Sequence, residues 1–513
     1  MNKITRVFYI SLSVAIIFIL WGLIPEDVLP AGNLDNVTGT IQGFIVEKFG
    51  WFYLLSATGF LVFALFLIFS KYGNIRLGKP EDRPEYNYLT WFAMLFSAGM
   101  GIGLVFWGAA EPLSHFHTPP DGRITEGSAE AARTAMRYSF FHWGLHPWGI
   151  YAVIALALAY FKFRKGAPGL VSSILEPLFG EKIKGGWGTV VDFVVVFATI
   201  FGVATSLGLG AIQISGGLAY IFPGIDRTLS VQLIIIAIVT ILFLLSAMTG
   251  LNKGIKYLSN TNLVLAVLLM LFLLFAGPTN FIMDLFTTSL GNYASNIVSM
   301  SFRLTPFDQD NTWIQGWTIF YWAWWIAWAP FVGTFIARVS KGRTIREFVL
   351  GVLLVPTVFG ALWFSVFGGS AINLEFYGGE NIIQYVDDMG TEIALFAVLE
   401  SYPLGLIMSI VAVLLISTFF ITSADSATFV LGMQTTGGGL NPPNKVKFIW
   451  GIIQSAAAAI LLWQGGLETL QTASIIAAFP FAIIMILIVF SLIKSFREEA
   501  KSVDLRRPKR ENR

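Results

Sequence analysis

The sequence has no cysteine, four histidines and few charges. Asp, Glu, Lys and Arg make up only 12% of its 513 residues, where soluble domains carry about 25%. Each shortage excludes something. Without cysteine there is no disulfide framework, no thiolate zinc site and no iron–sulfur cluster. Thirty-three Lys and Arg against 31 Asp and Glu leave a formal charge of +2, so nothing marks a nucleic-acid binder. No HExxH, no paired intramembrane Asp and no Ser/His pair at mid-membrane depth is visible, which argues against an enzyme. What is abundant is apolar and aromatic. Hydrophobic residues reach 55%, with 46 Phe, 16 Trp and 50 Gly, which also excludes disorder. The chain reads as an all-α, polytopic membrane protein.

A helix crossing a bilayer needs about 20 apolar residues. Twelve stretches qualify, at roughly 6–24, 51–70, 89–108, 139–161, 190–207, 229–248, 258–276, 313–337, 348–370, 404–434, 448–464 and 471–493. The first is too long for a signal-peptide core, and no small-residue cleavage site follows Trp21–Ile24, so it reads as a retained helix. Twelve crossings put both termini on one side. If that side is the cytoplasm, the inner segments hold 27 of the 33 Lys and Arg, and only Lys48, Arg123, Arg133, Arg137, Arg227 and Arg303 lie outside. Such a bias predicts a multi-pass plasma-membrane protein with cytoplasmic termini. Between spans 7 and 8, Phe281, Leu285, Phe286, Leu290, Tyr293, Ile297 and Phe302 recur near helical spacing. They predict an amphipathic helix on the outer surface or a lid packed on the bundle. The basic tail 494–513 is expected to extend the last span as a helix and fray near Pro508. It either meets anionic lipid or serves as an ordinary positive-inside anchor.

Four tracts inside the spans carry polar or aromatic chemistry. Ser97-Ala-Gly-Met-Gly-Ile-Gly103 places three glycines at alternate positions. This suits a short unwound segment whose free carbonyls and amides bind ions and anionic groups; close helix packing through Gly99-xxx-Gly103 is the alternative. Span 8 is aromatic at its centre. Tyr321, Trp325 and Trp328 share one helix face, with Trp324 at its side. Indoles at that depth suit a box that binds quaternary ammonium by cation–π attraction; core packing is the alternative. Trp148 and Tyr151 of span 4 share a face and would complete it, while Trp143 is placed to join it or an interfacial belt. His142 and His146 have the i, i+4 spacing of metal ligands, and His115 and His117 precede them. With no carboxylate or cysteine beside them, structural hydrogen bonding is the favoured role. In span 10, the hydroxyls of Thr422 and Ser423 are hard donors for a small cation such as Na⁺, or else bond back to their own helix. Asp425 is an intramembrane carboxylate, hence a functional candidate, placed where it would serve as a cap or gate partner.

Taken together, Gly99–Gly103, Ala110-Glu111-Pro112, Phe141–His146, Trp322–Trp325 and Thr422–Ser426 resemble the betaine/carnitine/choline transporter family over nearly the whole chain. The resemblance implies an inverted-repeat sodium-symporter (LeuT-type) fold with two extra N-terminal helices. Residues 1–88 would hold the start and spans 1–2, 89–276 the first repeat, 277–312 the outer helix and loop, 313–493 the second repeat and 494–513 the tail. It implies a substrate box of Trp143, Trp148, Tyr151, Trp324, Trp325 and Trp328, with Gly101 and Gly103 beside it. It implies a sodium site of backbone carbonyls at Ser97, Met100 and Phe419 with the Thr422 and Ser423 hydroxyls. Phe106 and Phe335 resemble the family's outer and inner gates. A homotrimer is implied, and no cofactor beyond Na⁺ as the coupling ion.

One departure stands out. Thr199 and Phe331 match the family's second sodium site, but Val203 stands where a second hydroxyl is expected. Either Thr205 or Ser206 replaces it, or the site is weakened. Gly103 stands where choline carriers tend to have an acidic residue, which points to a zwitterion. The sequence therefore predicts a Na⁺-coupled importer of glycine betaine or a related quaternary-ammonium solute, acting in osmoprotection. The alternative is a sodium-independent exchanger or a choline/carnitine carrier of the same fold.

Overall fold

A computed structural model of the protein describes residues 4–99, 101–249, 252–307 and 312–505. Among these the chain is helical, apart from connecting segments and one isolated antiparallel bridge, Arg76 to Thr344. The principal helices are α1 (Arg6–Gly22), α2 (Leu34–Phe69), α3 (Tyr88–Gly99), α4 (Ile102–His117), α5 (Ala129–Trp143), α6 (Leu145–Ala159), α7 (Gly186–Ile221), α8 (Leu229–Thr249), α9 (Asn252–Ala276), α10 (Thr279–Ser301), α11 (Phe320–Val339), α12 (Ile345–Asn373), α13 (Gly405–Thr435) and α14 (Asn444–Leu505).

Among the described residues, nine helices are long and apolar enough to cross a membrane. Three of the twelve expected stretches are not separate members of that set. The first, α1, has 17 residues. The stretch at 89–108 is divided into α3 and α4, of 12 and 16 residues. The last two run together as α14, which is interrupted where Gly465 and Gly466 leave helical geometry. Gly466 has φ +65, a left-handed conformation that favours glycine.

Span 4 differs most from its sequence expectation. Its helix begins at Ala129, ten residues before the expected start. Ser128 caps it by accepting a hydrogen bond from Ala131 N at 3.1 Å, and Glu130 lies in its first turn; both stabilise a helix N-terminus. The helix is then broken at Gly144, whose φ/ψ are −99/−129. A Cβ there would overlap Phe140 O and lie 2.9 Å from Tyr293 Oη. The break removes the basis for a metal site on His142 and His146, because an i, i+4 spacing aligns side chains only along one continuous helix.

The amphipathic stretch after span 7 forms α10. It is packed on the bundle rather than lying free of it. Ile282, Tyr293 and Met300 are buried, and Tyr293 Oη accepts from Leu145 N at 3.1 Å. The last helix is described to Leu505, past the end of span 12, while Pro508 and the rest of the tail lie outside the described residues.

Burial separates centre from rim. In the most apolar part of each helix, 94% of residues are buried in Ala129–Arg164 and 89% in Thr312–Val339. Only 39% are buried in Leu229–Met248 and 28% in Tyr257–Ala276. So α5, α6 and α11 form the middle, packed against α7, α12 and α14, and α8 and α9 turn apolar side chains outward. A short ladder ties the segment before α3 to the one after α11. Leu77 N donates to Arg343 O at 2.8 Å, Gly342 N to Leu77 O at 2.7 Å and Ile345 N to Ile75 O at 2.9 Å. The Arg343 guanidinium lies over Tyr88 and Trp91, 4.5 and 4.0 Å from their ring centres. Trp91 Nε1 donates to Ser340 Oγ at 3.0 Å.

Candidate substrate site

Between α3 and α4 the backbone is extended at Gly101, with φ/ψ −145/−174. The glycine tract therefore interrupts the helix, as its alternating spacing predicts. The indoles of α11 pack against this interruption. A Cβ on Gly101 would lie 3.3 Å from Trp328 Cη2. One on Gly103 would overlap Trp324 Cη2 and lie 3.3 Å from Trp143 Cη2. Glycine at 103 is thus required by close approach of the indole.

The aromatic side chains converge from three helices. Trp324 and Trp325 stack with ring centres 5.0 Å apart. Trp143, at the end of α5, stands edge-on to Trp325 at 4.8 Å and to Trp324 at 6.2 Å, so the structure brings it together with the central indoles. Tyr151 of α6 is edge-on to Trp325 at 6.0 Å, and Trp148 is edge-on to Tyr151 at 5.5 Å. None of these six, Trp328 included, is more than 7% exposed. Tyr151 Oη, Trp324 Nε1 and Trp328 Nε1 find no hydrogen-bond partner among the described residues. A buried donor left unpaired costs about 1–3 kcal/mol, so those of Tyr151 and Trp324 in the cluster, with that of Trp328 beside Gly101, favour an acceptor-bearing ligand.

Behind the cage lies a residue whose role the sequence did not reveal. Glu111 on α4 is fully buried. It accepts from His142 Nδ1 at 2.7 Å and His115 Nε2 at 3.1 Å on one oxygen. On the other it accepts from Trp143 Nε1 at 2.7 Å and Tyr321 Oη at 2.6 Å. His142 Nε2 faces Thr318 Oγ1 at 2.9 Å, and its carbonyl accepts from Trp325 Nε1 at 2.9 Å. His142 therefore does have a carboxylate partner, contrary to the sequence expectation. The ligand atoms of Glu111, His115 and His142 lie within 4.8 Å of one another, but each carboxylate oxygen is already held by two protein donors. His146 belongs to a different group, with Ser301 Oγ at 3.0 Å and Trp322 stacked on its ring at 5.1 Å. His117 lies 3.9 Å from Asp387.

A family profile described as BCCT, betaine/carnitine/choline family transporter, matches residues 6–501. The chain belongs to this transporter family. It is 57% identical over 504 residues to the glycine betaine transporter OpuD of Bacillus subtilis (strain 168), covering 98% of this chain and 96% of that one. It is 46% identical over 502 residues to a probable glycine betaine transporter of Desulfitobacterium hafniense (strain Y51), covering 97% and 98%. It is 45% identical over 507 residues to an ectoine/hydroxyectoine transporter of Virgibacillus pantothenticus, covering 98% and 99%.

In this family member, the hydroxyl of Thr422 bonds back to Thr418 O at 3.0 Å and Phe419 O at 3.2 Å. It also accepts from Asn262 Nδ2 at 3.0 Å. Asn262, on α9, is 3% exposed and its Oδ1 has no partner among the described residues. This adds a buried carbonyl oxygen beside Thr422 that hydropathy gave no reason to single out. Ser423 is half-buried and Phe419 buried. Ser97 lies in α3, and Met100 lies outside the described residues. Asp425 is buried and accepts from Ser246 Oγ of α8 at 2.9 Å, an interhelical tie.

On α7, Thr199 bonds back to Val195 O at 2.7 Å, and Val203 is 1% exposed. Thr205 is engaged by Phe201 O, Leu470 O and Ser474 Oγ at 2.9, 2.9 and 2.7 Å. Ser206 Oγ is buried without a partner among the described residues. It lies seven residues from Thr199, about 10 Å along the axis at 1.5 Å per residue, too far for both to hold one ion. Phe331 packs edge-on against Trp328 at 5.3 Å. Phe106 is buried against Trp107 at 4.8 Å, while Phe335 is 39% exposed.

Proposed function

We propose that the protein imports glycine betaine, or a closely related zwitterionic solute, together with Na⁺ and in response to osmotic stress. The observation that carries this reading is the cage of Trp143, Trp148, Tyr151, Trp324, Trp325 and Trp328 with its three unpaired donors. Ring faces attract a quaternary ammonium, and N–H and O–H groups suit a carboxylate. Amides freed by the interruption at Gly101 add to that anionic end. The relatives named as glycine betaine transporters support the same substrate.

Na⁺ is assigned to the Thr422 and Ser423 hydroxyls and the carbonyls of Ser97, Met100 and Phe419. Each charge moved down 100 mV supplies about 2.3 kcal/mol. Phe106 and Phe335 act as gates on either side of the cage. The one-ion site is favoured over a second at Thr199 and Phe331, because Val203 offers no oxygen.

The proposed architecture has twelve crossings in two inverted repeats preceded by two helices. It counts α1, the interrupted pair α3–α4 and the two halves of α14 as crossings beside those long enough on their own. Both termini are cytoplasmic, the basic tail meets anionic lipid, and the assembly is a homotrimer in the plasma membrane. The test is uptake of labelled betaine by proteoliposomes with and without a Na⁺ gradient, competed with choline, carnitine and proline betaine. Gradient-dependent accumulation, inhibited best by proline betaine, is expected. Uptake indifferent to Na⁺ would make the protein an exchanger.

A further inference from the structure

We infer that Glu111 is a specificity-determining residue that sets the cage's preference for a cation by holding a negative charge behind the cage ring of Trp143 and the adjoining ring of Tyr321. The inference rests on the reading of the cage as a quaternary-ammonium site.

The hydrogen bonds around Glu111 suit an ionised carboxylate. Four donors converge on the two carboxylate oxygens, an arrangement that only an ionised carboxylate satisfies fully, since a protonated one adds a donor of its own. Both imidazoles complete their bonding when neutral. His142 donates from Nδ1 to Glu111 and accepts at Nε2 from the Thr318 hydroxyl. His115 donates from Nε2, and a second proton would sit on Nδ1, which is buried without a partner. Among the described residues, no Lys or Arg forms an ion pair with Glu111; its ion-pair contacts are the two imidazoles. With both imidazoles neutral, the group carries one net negative charge inside a helical bundle.

That charge reaches the cage through its donors. Trp143 stands edge-on to Trp325, and Tyr321 stacks on Trp325 at 6.0 Å with 19° between the rings. An N–H or O–H that donates to an anion pushes electron density back into its ring, and hydrogen bonds polarise one another in a low dielectric. An electron-rich ring attracts a cation more strongly. Glu111 thus makes these rings better hosts for the ammonium and adds a direct attraction that water does not screen. The same charge repels a ligand that has a carboxylate but no ammonium.

Two ligands of one shape separate these effects. In tert-butylacetate a tert-butyl group replaces the trimethylammonium of glycine betaine, so size and carboxylate are kept and the cation is lost. Inhibition of labelled-betaine binding to the purified full-length protein gives the preference between them. In Glu111→Gln, betaine affinity is expected to fall about tenfold while that of tert-butylacetate stays constant or rises, so the preference narrows at least tenfold. Glu111→Asp keeps the charge and is expected to keep the preference, even if both affinities fall. Tyr321→Phe keeps the ring and removes one donor, and is expected to narrow the preference about threefold. Equal weakening of both ligands in Glu111→Gln would make Glu111 a structural residue and overturn the inference. Should Glu111→Gln fail to fold, an unchanged preference in Tyr321→Phe overturns it instead. A wild-type protein that does not distinguish the two ligands would overturn the cage reading itself, a different failure from a wild-type preference that Glu111→Gln leaves untouched.

Discussion

At the scale of single residues, the cage is built from side chains that no ordinary span would place at its centre. Trp325 has the most connected position, stacked on Trp324 and met edge-on by Trp143 and Tyr151. A desolvated cation–π contact contributes about 2 kcal/mol, or roughly 30-fold in affinity at about 1.4 kcal/mol per decade. Trp325→Ala is expected to raise the betaine Kd by at least that factor in a fluorescence titration; an unaltered Kd would remove Trp325 from the site. Gly103→Ala places a methyl group into Trp324. A rigid indole yields little, and overpacking costs about 1–3 kcal/mol, so a lower Tm is expected together with weaker betaine binding. The aromatic members were legible because indoles at mid-span have no cheaper explanation. The role of Glu111 was not, although Ala110-Glu111-Pro112 marks the family, because the residue lies just past the apolar stretch at 89–108. Its signal was His115 four residues on, which only a helix continuing through Pro112 turns into a pair.

At the scale of elements, hydropathy finds helices wherever apolar residues run on, and it finds nearly all of them here. It fails where a helix is only half apolar. The first turns of α5 hold Glu130, Arg133 and Arg137, so their periodicity is diluted and only the Ser128 cap marks the start. Removing that cap in Ser128→Ala should cost about 1 kcal/mol, seen as a modest fall in Tm with little change in betaine affinity. A large loss of affinity would mean instead that the cap sets the position of Trp143 directly. The interruption at Gly144 was hidden for a different reason. Its glycine sits in an otherwise largely apolar stretch, and what restricts the position to glycine is the crowding a Cβ would meet from Phe140 O and, across the fold, from Tyr293 Oη. The glycine tract before α4 was readable because three alternate glycines are locally poor for any helix.

At the scale of the whole molecule, the sparse charge is the strongest guide to orientation, since with twelve crossings 27 of 33 cations would fall on alternate segments. The absence of cysteine makes this directly measurable. A membrane-impermeant maleimide is expected to label Glu126→Cys in intact cells and Lys79→Cys only after lysis; the reverse pattern would invert the assigned topology. Both positions are exposed.

The ladder between 75–78 and 342–345 has a mechanical consequence. Together with the Trp91–Ser340 bond and Arg343 lying over Tyr88 and Trp91, it bolts the start of α3 to the end of α11. The two walls that meet at Gly101 and Trp328 therefore share one foundation. They cannot slide past each other at that end, so any parting between them has to come from flexure further along. The natural joint is the interruption between α3 and α4, where the backbone is extended at Gly101.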